Sequence, residues 1–147
     1  MINLYFGLPG SGKTTAIAYF ARKYIGSKKY HNVYCNVDMC IPCLIHVDKD
    51  DLGVLDIRDG LVLYDEGGVD FDNRDFANFS KNLTWFFKFH RHLNLDVYIF
   101  SQTIDVDKKI RSLANNVYYM YRPFLFGHWF SKIVKVQYGV VFPSKDT

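Results

Sequence analysis

Gly7-Leu8-Pro9-Gly10-Ser11-Gly12-Lys13-Thr14 decides how this chain is read. The octapeptide fits G-x-x-x-x-G-K-[ST] at every fixed position, and its flanks fit too. Ahead of it, Ile2 to Phe6 (INLYF) is a β-prone run that reads as a buried strand. Behind it, Ile17, Phe20, Ala21 and Tyr24 recur at helical spacing, so a helix is expected from Lys13, with Gly26 as its stop. Gly7, Gly10 and Gly12 let the backbone curl until successive N–H groups face one phosphate-sized hole. The start of the helix adds its positive end. Lys13 is expected to neutralise the β- and γ-phosphates of a nucleoside triphosphate, and Thr14 to offer its hydroxyl to Mg²⁺. Pro9, Ser11 and Thr15 complete the expected nucleotide-contacting set. ATP and Mg²⁺ are therefore the expected cofactors. No guanine-selecting Asn/Thr-Lys-x-Asp segment occurs, which tilts the choice of base toward adenine.

A magnesium ion held by a threonine and phosphate oxygens needs a carboxylate near it, commonly at the end of an apolar strand. Leu61 to Tyr64 (LVLY) is such a strand, and Asp65 closes it. Glu66 follows directly, placed to orient and deprotonate an attacking water. Without the glycine loop the pair would read as two solvated acids at a turn marked by Gly67 and Gly68. A third strand, Leu95 to Phe100, ends near Gln102, whose amide could hydrogen-bond a γ-phosphate or the attacking water. Taken alone, Gln102 reads equally well as an ordinary polar residue at a strand end.

The remaining elements follow the same alternation. His31 to Cys35 and Leu44 to Val47 read as strands, and Asp48 to Gly60 as loop with a turn of helix. Phe76, Phe79, Leu83, Phe86, Phe87 and His90 fall on one stripe of a helix expected over Arg74 to His92. A short polar helix is expected over Asp105 to Ala114. Val117 to Tyr121 and Lys132 to Phe142 then read as strands of a C-terminal β extension within residues 116–142. Alternating strands and helices from the start make this an α/β P-loop NTPase fold. Its sheet is expected to be doubly wound and mainly parallel, with helices on both faces.

At 147 residues the chain suits one domain, and 49% apolar with 18% aromatic content is enough to build its core. A net charge of +3 permits contact with nucleic acid without arguing for it. No apolar run approaches the roughly 18 residues of a membrane span, and no secretory leader is visible, so a cytoplasmic location is expected. Cys40 and Cys43 form a lone C-x-x-C, with Cys35, His31 and His46 nearby. Small loop or buried thiols are expected there rather than a zinc site. The aromatic run from Val117 to Phe130 could pack on the sheet, form a partner patch, or stack single-stranded bases.

Four segments together carry a family resemblance: GLPGSGKT, LVLYDEGG, FFKFHRHLNLDVYIFSQ and IDVDKKIRSLANNVYYMYR. With them the chain resembles, over roughly Met1 to Arg122, the zonula occludens toxin-like ATPases. These include filamentous-phage morphogenesis ATPases and belong with the HerA–FtsK group of DNA-pumping motors. The H-R-H-x-x-x-D segment at His90 to Asp96 is the most distinctive part. The resemblance implies that Lys13 and Thr14 bind phosphate and Mg²⁺, that Asp65 and Glu66 are the metal-associated and catalytic acids, and that Gln102 is the sensor. It further implies a homo-oligomer in which a neighbour supplies an arginine, with Arg91 and Arg111 as candidates. DNA, or phage and membrane assembly proteins, are the implied partners. Members of the family continue into a membrane-spanning helix, whereas this chain ends at Thr147, so peripheral attachment to the inner membrane would run through a partner.

Three functions compete on these residues. One is an ATPase that drives DNA movement or particle assembly. Another is a small P-loop kinase, against which Glu66 and Gln102 speak. The last is a nucleotide-dependent scaffold with little turnover.

Overall fold

The computed structural model describes residues 1–67, 81–102, 108–123 and 132–136. Expectations that fall on Phe76, Phe79, residues 103–107 or the aromatic stretch 124–130 lie outside these residues.

Each expected strand and helix is present where it falls within the described residues; the start of the helix expected from Arg74 and the end of the strand expected to Phe142 lie outside them. Strand β1 (Ile2–Phe6) leads through the glycine loop into helix α1 (Lys13–Tyr24). Strand β2 (Asn32–Cys35) and the short β3 (Leu44–His46) follow, then a single 3₁₀ turn at Lys49–Asp51. Strand β4 (Gly60–Tyr64) is buried along its whole length. Helix α2 (Lys81–Phe89), strand β5 (Leu95–Ser101), helix α3 (Lys108–Leu113), and strands β6 (Asn116–Tyr121) and β7 (Lys132–Val136) complete the order.

These strands form one sheet in the order β3-β2-β4-β5-β1-β6-β7. Every neighbouring pair is parallel except β6 with β7 at the edge, where Tyr121 pairs with Lys132 and Val117 with Val136. Of the two strands expected in the C-terminal extension, β6 thus joins the parallel sheet beside β1, and β7 is the antiparallel addition.

Period-two alternation in the strands supplies a core on each face. Ile2, Leu4, Val62, Tyr64, Val97 and Ile99 point to one face and pack with Leu83, Phe86 and Phe87 of α2. Tyr5, Leu61, Leu63, Tyr98 and Phe100 point to the other, against Ile17 and Ala21 of α1. That two-sided burial is why the strands read as continuous apolar runs. It also places the helices on both faces, as in a doubly wound domain. Cys35 is buried in the α1-side core, and Cys40 and Cys43 are exposed. Among the described residues no helix is long and apolar enough to cross a membrane.

In the described part of the aromatic run, the rings pack on the sheet and on one another. Tyr118 stacks on Tyr5 at 4.7 Å and Tyr119 lies 5.2 Å from Phe6, while Val117 and Met120 are buried.

The H-R-H-x-x-x-D segment forms a structural corner between α2 and β5. His90 is buried and its Nδ1 donates to the Phe87 carbonyl at 2.8 Å; burial holds its pKa below the usual histidine value. Asp96 accepts from the N-terminal ammonium of Met1 at 2.7 Å and from the Tyr30 hydroxyl at 2.5 Å. Burial alone would raise the Asp96 pKa, but these two donors outweigh it and hold the carboxyl below its ordinary value.

Candidate active site

All strands but β7 run the same way, so the residue following each strand arrives at one edge of the sheet. There, Asp65 and Glu66 follow β4, Gln102 follows β5, the glycine loop follows β1, and Arg122 follows β6. These residues line a single cleft of about 310 Å³, together with Pro9, Gly10, Gly12, Lys13, Thr14 and Thr15. Because β5 sits between β1 and β4, the backbone of the strand that ends in the acids lies two strand spacings, roughly 10 Å, from that of the strand leading into the loop, and Gln102 ends the strand between them.

The loop takes its shape from three glycines acting in two ways. Gly10 and Gly12 have φ of 78° and 93°, a left-handed backbone that most side chains avoid. Gly7 is needed for space instead. A Cβ there would lie 2.4 Å from the Met120 carbonyl oxygen on β6 and 2.7 Å from the Ser11 hydroxyl. The ladder continues into the loop through Gly7 N–H, which donates to the Ser101 carbonyl at 3.1 Å. Ser11 is buried beneath the turn, and its hydroxyl has no partner among the described residues.

Lys13 is the most telling side chain. It is only 7% exposed, and its Nζ donates to the carbonyls of Gly7 at 2.7 Å and Leu8 at 3.1 Å. No carboxylate among the described residues forms an ion pair with it. Burial pushes its pKa down, and the more distant Glu66 and Asp65 restore part of it. A buried ammonium facing an open cleft without a counter-ion is costly unless an anion arrives to share it.

Asp65 is positioned by its neighbours on both sides. The Asn36 amide, just beyond the end of β2, bridges its backbone: Asp65 N–H donates to Asn36 Oδ1 at 2.7 Å and Asn36 Nδ2 donates to the Asp65 carbonyl at 3.0 Å. Glu66 N–H donates to Asp65 Oδ1 at 2.9 Å. The other oxygen, Oδ2, is left facing Thr14, whose Oγ1 donates to it at 3.3 Å. Burial raises the Asp65 pKa, as expected of a carboxyl that a cation would recharge. Adjacent oxygens around a magnesium ion bonded at about 2.1 Å lie about 3 Å apart, so hydroxyl and carboxylate together fit two neighbouring corners of its shell.

Glu66 has φ of 57°, which a side chain adopts only at some cost, and such strain concentrates at sites that use it. The turn sends its carboxylate toward β5, where Gln102 Nε2 donates to Oε1 at 3.1 Å and to Oε2 at 3.4 Å. The two residues proposed on sequence for water activation and phosphate sensing are therefore in direct contact.

Apart from Gly7 and the buried Ser11, the expected nucleotide, metal and acid residues line this cleft. Arg91 and Arg111 do not. Arg91 lies in the turn before β5 and Arg111 in α3 before β6, both at the amino ends of the strands, and within one chain neither lines the cleft. Arg91 instead borders a wider hollow of about 740 Å³ with Met1, Lys29, Tyr30 and Asp96. That hollow is not lined by the glycine loop, which borders the smaller cleft. Sequence reasoning missed Asn36 and Arg122. A usable signal existed, since both follow a strand directly, and ligands of parallel α/β sheets gather at the carboxyl ends of the strands.

The family model described as zonular occludens toxin (Zot) matches residues 46–137, well over half of the chain. The chain belongs to the Zot family. The matched span holds both acids, Gln102 and Arg122, and the glycine loop of this Zot-family protein lies ahead of it. No curated protein matches the sequence. Among solved structures, the N-terminal domain of zonular occludens toxin from Neisseria meningitidis is similar at 18% identity and TM-score 0.60, covering 92% of this chain and 82% of that one. The genome packaging NTPase B204 from Sulfolobus turreted icosahedral virus 2, in complex with ATP-gammaS, is 15% identical with TM-score 0.62, over 84% and 75%. The flagellar accessory protein FlaH from Methanocaldococcus jannaschii is 14% identical with TM-score 0.62, over 91% and 77%. At these identities the likeness is one of fold, and the Zot-family chain shares the P-loop NTPase architecture.

Proposed function

We propose that this Zot-family protein binds ATP with magnesium in the cleft and hydrolyses it. The buried, counter-ion-free ammonium of Lys13 carries that reading. The loop amides and Lys13 would hold the phosphates, with Thr14 and Asp65 on the metal. Bound there, the magnesium would offset charge on the leaving and transferred phosphates. Glu66 would accept the proton of the attacking water at its carboxylate, and Gln102 would orient that water or the terminal phosphate. The protein would act as a homo-oligomer, in which a neighbour's Arg91 or Arg111 completes the site, to move DNA or assemble a DNA-containing particle. Support for that wider role is the family and the fold shared with the packaging NTPase B204.

The contact between Gln102 and the Glu66 carboxylate favours a second reading, a scaffold that binds ATP and turns it over negligibly, because the proposed base is engaged. Turnover measured with and without single-stranded DNA, beside sizing with and without ATP, separates the two. DNA-stimulated hydrolysis by an oligomer supports the motor. Assembly without phosphate release supports the scaffold, and transfer of phosphate to a small acceptor in place of water would establish a kinase.

A further inference from the structure

Arg122 enters the cleft from the side opposite the acids. In the strand order β4-β5-β1-β6, Asp65 and Glu66 end β4, two strands to one side of the glycine loop, while Arg122 ends β6, the next strand on the other side. Its placement is firm at the backbone. Asn3 to Phe6 of β1 pair in parallel with Asn116 to Tyr119 of β6, and the Met120 carbonyl lies so close to Gly7 that only a glycine fits there. The strand carrying Arg122 and the loop carrying Lys13 are therefore packed directly against each other. Arg122 itself is exposed, and no ion pair is formed by it among the described residues.

Charge explains why a second cation belongs there. Among the described residues, Lys13 and Arg122 are the cations lining the cleft and Asp65 and Glu66 the anions, so their formal charges balance. A magnesium-bound triphosphate is still an anion. Without Arg122, Lys13 would be the one cation among the described lining residues to face the two carboxylates and that anion. A guanidinium also presents several donors in a fixed fork, suited to the oxygens of one phosphate.

Building on the proposed nucleotide site, we infer that Arg122 contacts the terminal phosphate of a bound triphosphate from within the same chain. Each subunit thereby discriminates ATP from ADP before any neighbour contributes. Gln102 and Glu66 mark the part of the cleft where the terminal phosphate and the attacking water would lie, and Arg122 shares that cleft with them.

Equilibrium binding of fluorescent ADP and of a fluorescent non-hydrolysable ATP analogue, in magnesium buffer, tests this on four full-length proteins. These are the wild type, Arg122→Ala, Arg122→Lys, and Lys132→Ala as a control for nearby surface charge. Arg122→Ala should weaken the ATP analogue about tenfold to a hundredfold and ADP less than about threefold. Arg122→Lys should recover part of the loss, and Lys132→Ala should change neither affinity appreciably. Equal loss of both nucleotides, or loss of neither, overturns the inference while leaving the nucleotide site intact. A wild type that binds no nucleotide overturns the site as well. Mixing Arg122→Ala with Lys13→Ala subunits distinguishes the arginine's origin. A cis contact leaves the affinity of the mixture at that of Arg122→Ala alone, and recovery of tight analogue binding would show that the arginine acts across subunits.

Discussion

Replacing Lys13 by methionine separates a phosphate-binding lysine from a merely structural one. Lys13 is only 7% exposed, and its ammonium is held by the carbonyls of Gly7 and Leu8. Methionine keeps most of the stem and removes the charge. Those carbonyls lose a donor, which costs about 1–3 kcal/mol where an acceptor stays buried, but Leu8 is exposed and water can replace the donor at its carbonyl. The desolvation cost of the ammonium disappears at the same time, so the ligand-free variant should stay within about 1 kcal/mol of wild type. Binding should respond very differently. Two charge-assisted contacts to phosphate are worth about 3–5 kcal/mol together, a loss of at least about a hundredfold in affinity. At a nucleotide concentration of about 100 times Kd, wild type gains about 2.7 kcal/mol, which for a domain of this size raises Tm by about 5–10 °C. Lys13→Met under the same conditions should show almost no rise. Thermal unfolding of both proteins, with and without Mg·ATP, reads both quantities. A ligand-free variant that falls by more than about 3 kcal/mol, or one that keeps the nucleotide-induced rise, would refute the reasoning and leave Lys13 a post that holds the loop.

Three further outcomes follow from the same geometry. Glu66→Gln should retain Mg·ATP affinity and lose about 10²–10⁴-fold in turnover in a phosphate-release assay; unchanged turnover removes Glu66 from the chemistry. Gly7→Ala should destabilise the domain by about 1–3 kcal/mol in urea unfolding and weaken nucleotide binding, since its methyl would sit 2.4 Å from the Met120 oxygen and force the loop from β6. Asp96→Asn should cost about 1 kcal/mol at neutral pH, the pair being partly exposed, and leave nucleotide affinity unchanged. The folded Asp96 pKa lies below its unfolded value, so this contribution is present above the unfolded value and is lost as pH falls through the folded one. The stability gap between wild type and variant should thus narrow as pH falls below the ordinary carboxylate range, and a gap that does not change with pH contradicts the assignment.

How far the sequence reached differs from residue to residue. Gly10, Gly12, Lys13 and Thr14 were legible because a phosphate cradle is built from consecutive residues. Asp65 was legible because it closes a fully apolar strand. Gln102 could be read two ways from sequence, and its contact with Glu66 at 3.1 Å became visible only in the structure. The H-R-H-x-x-x-D segment, distinctive as sequence, turned out to build the corner that ties His90 to Phe87 and Asp96 to Met1 and Tyr30, at the edge of the sheet remote from the cleft.

By itself, the amino-acid order determined the described elements and the glycine loop between β1 and α1. Helical and strand periodicity and turn residues are local properties, written within a few positions of one another. Tertiary structure alone decided which strand lies beside which. Inserting β5 between β1 and β4 brought Gln102 against Glu66, seating β6 beside β1 delivered Arg122 to the loop, and the common strand direction sent Arg91 and Arg111 to the opposite edge. Pairing between strands separated by tens of residues depends on how two apolar faces bury against α1 and α2 at once, and that balance leaves no mark in any short window of sequence.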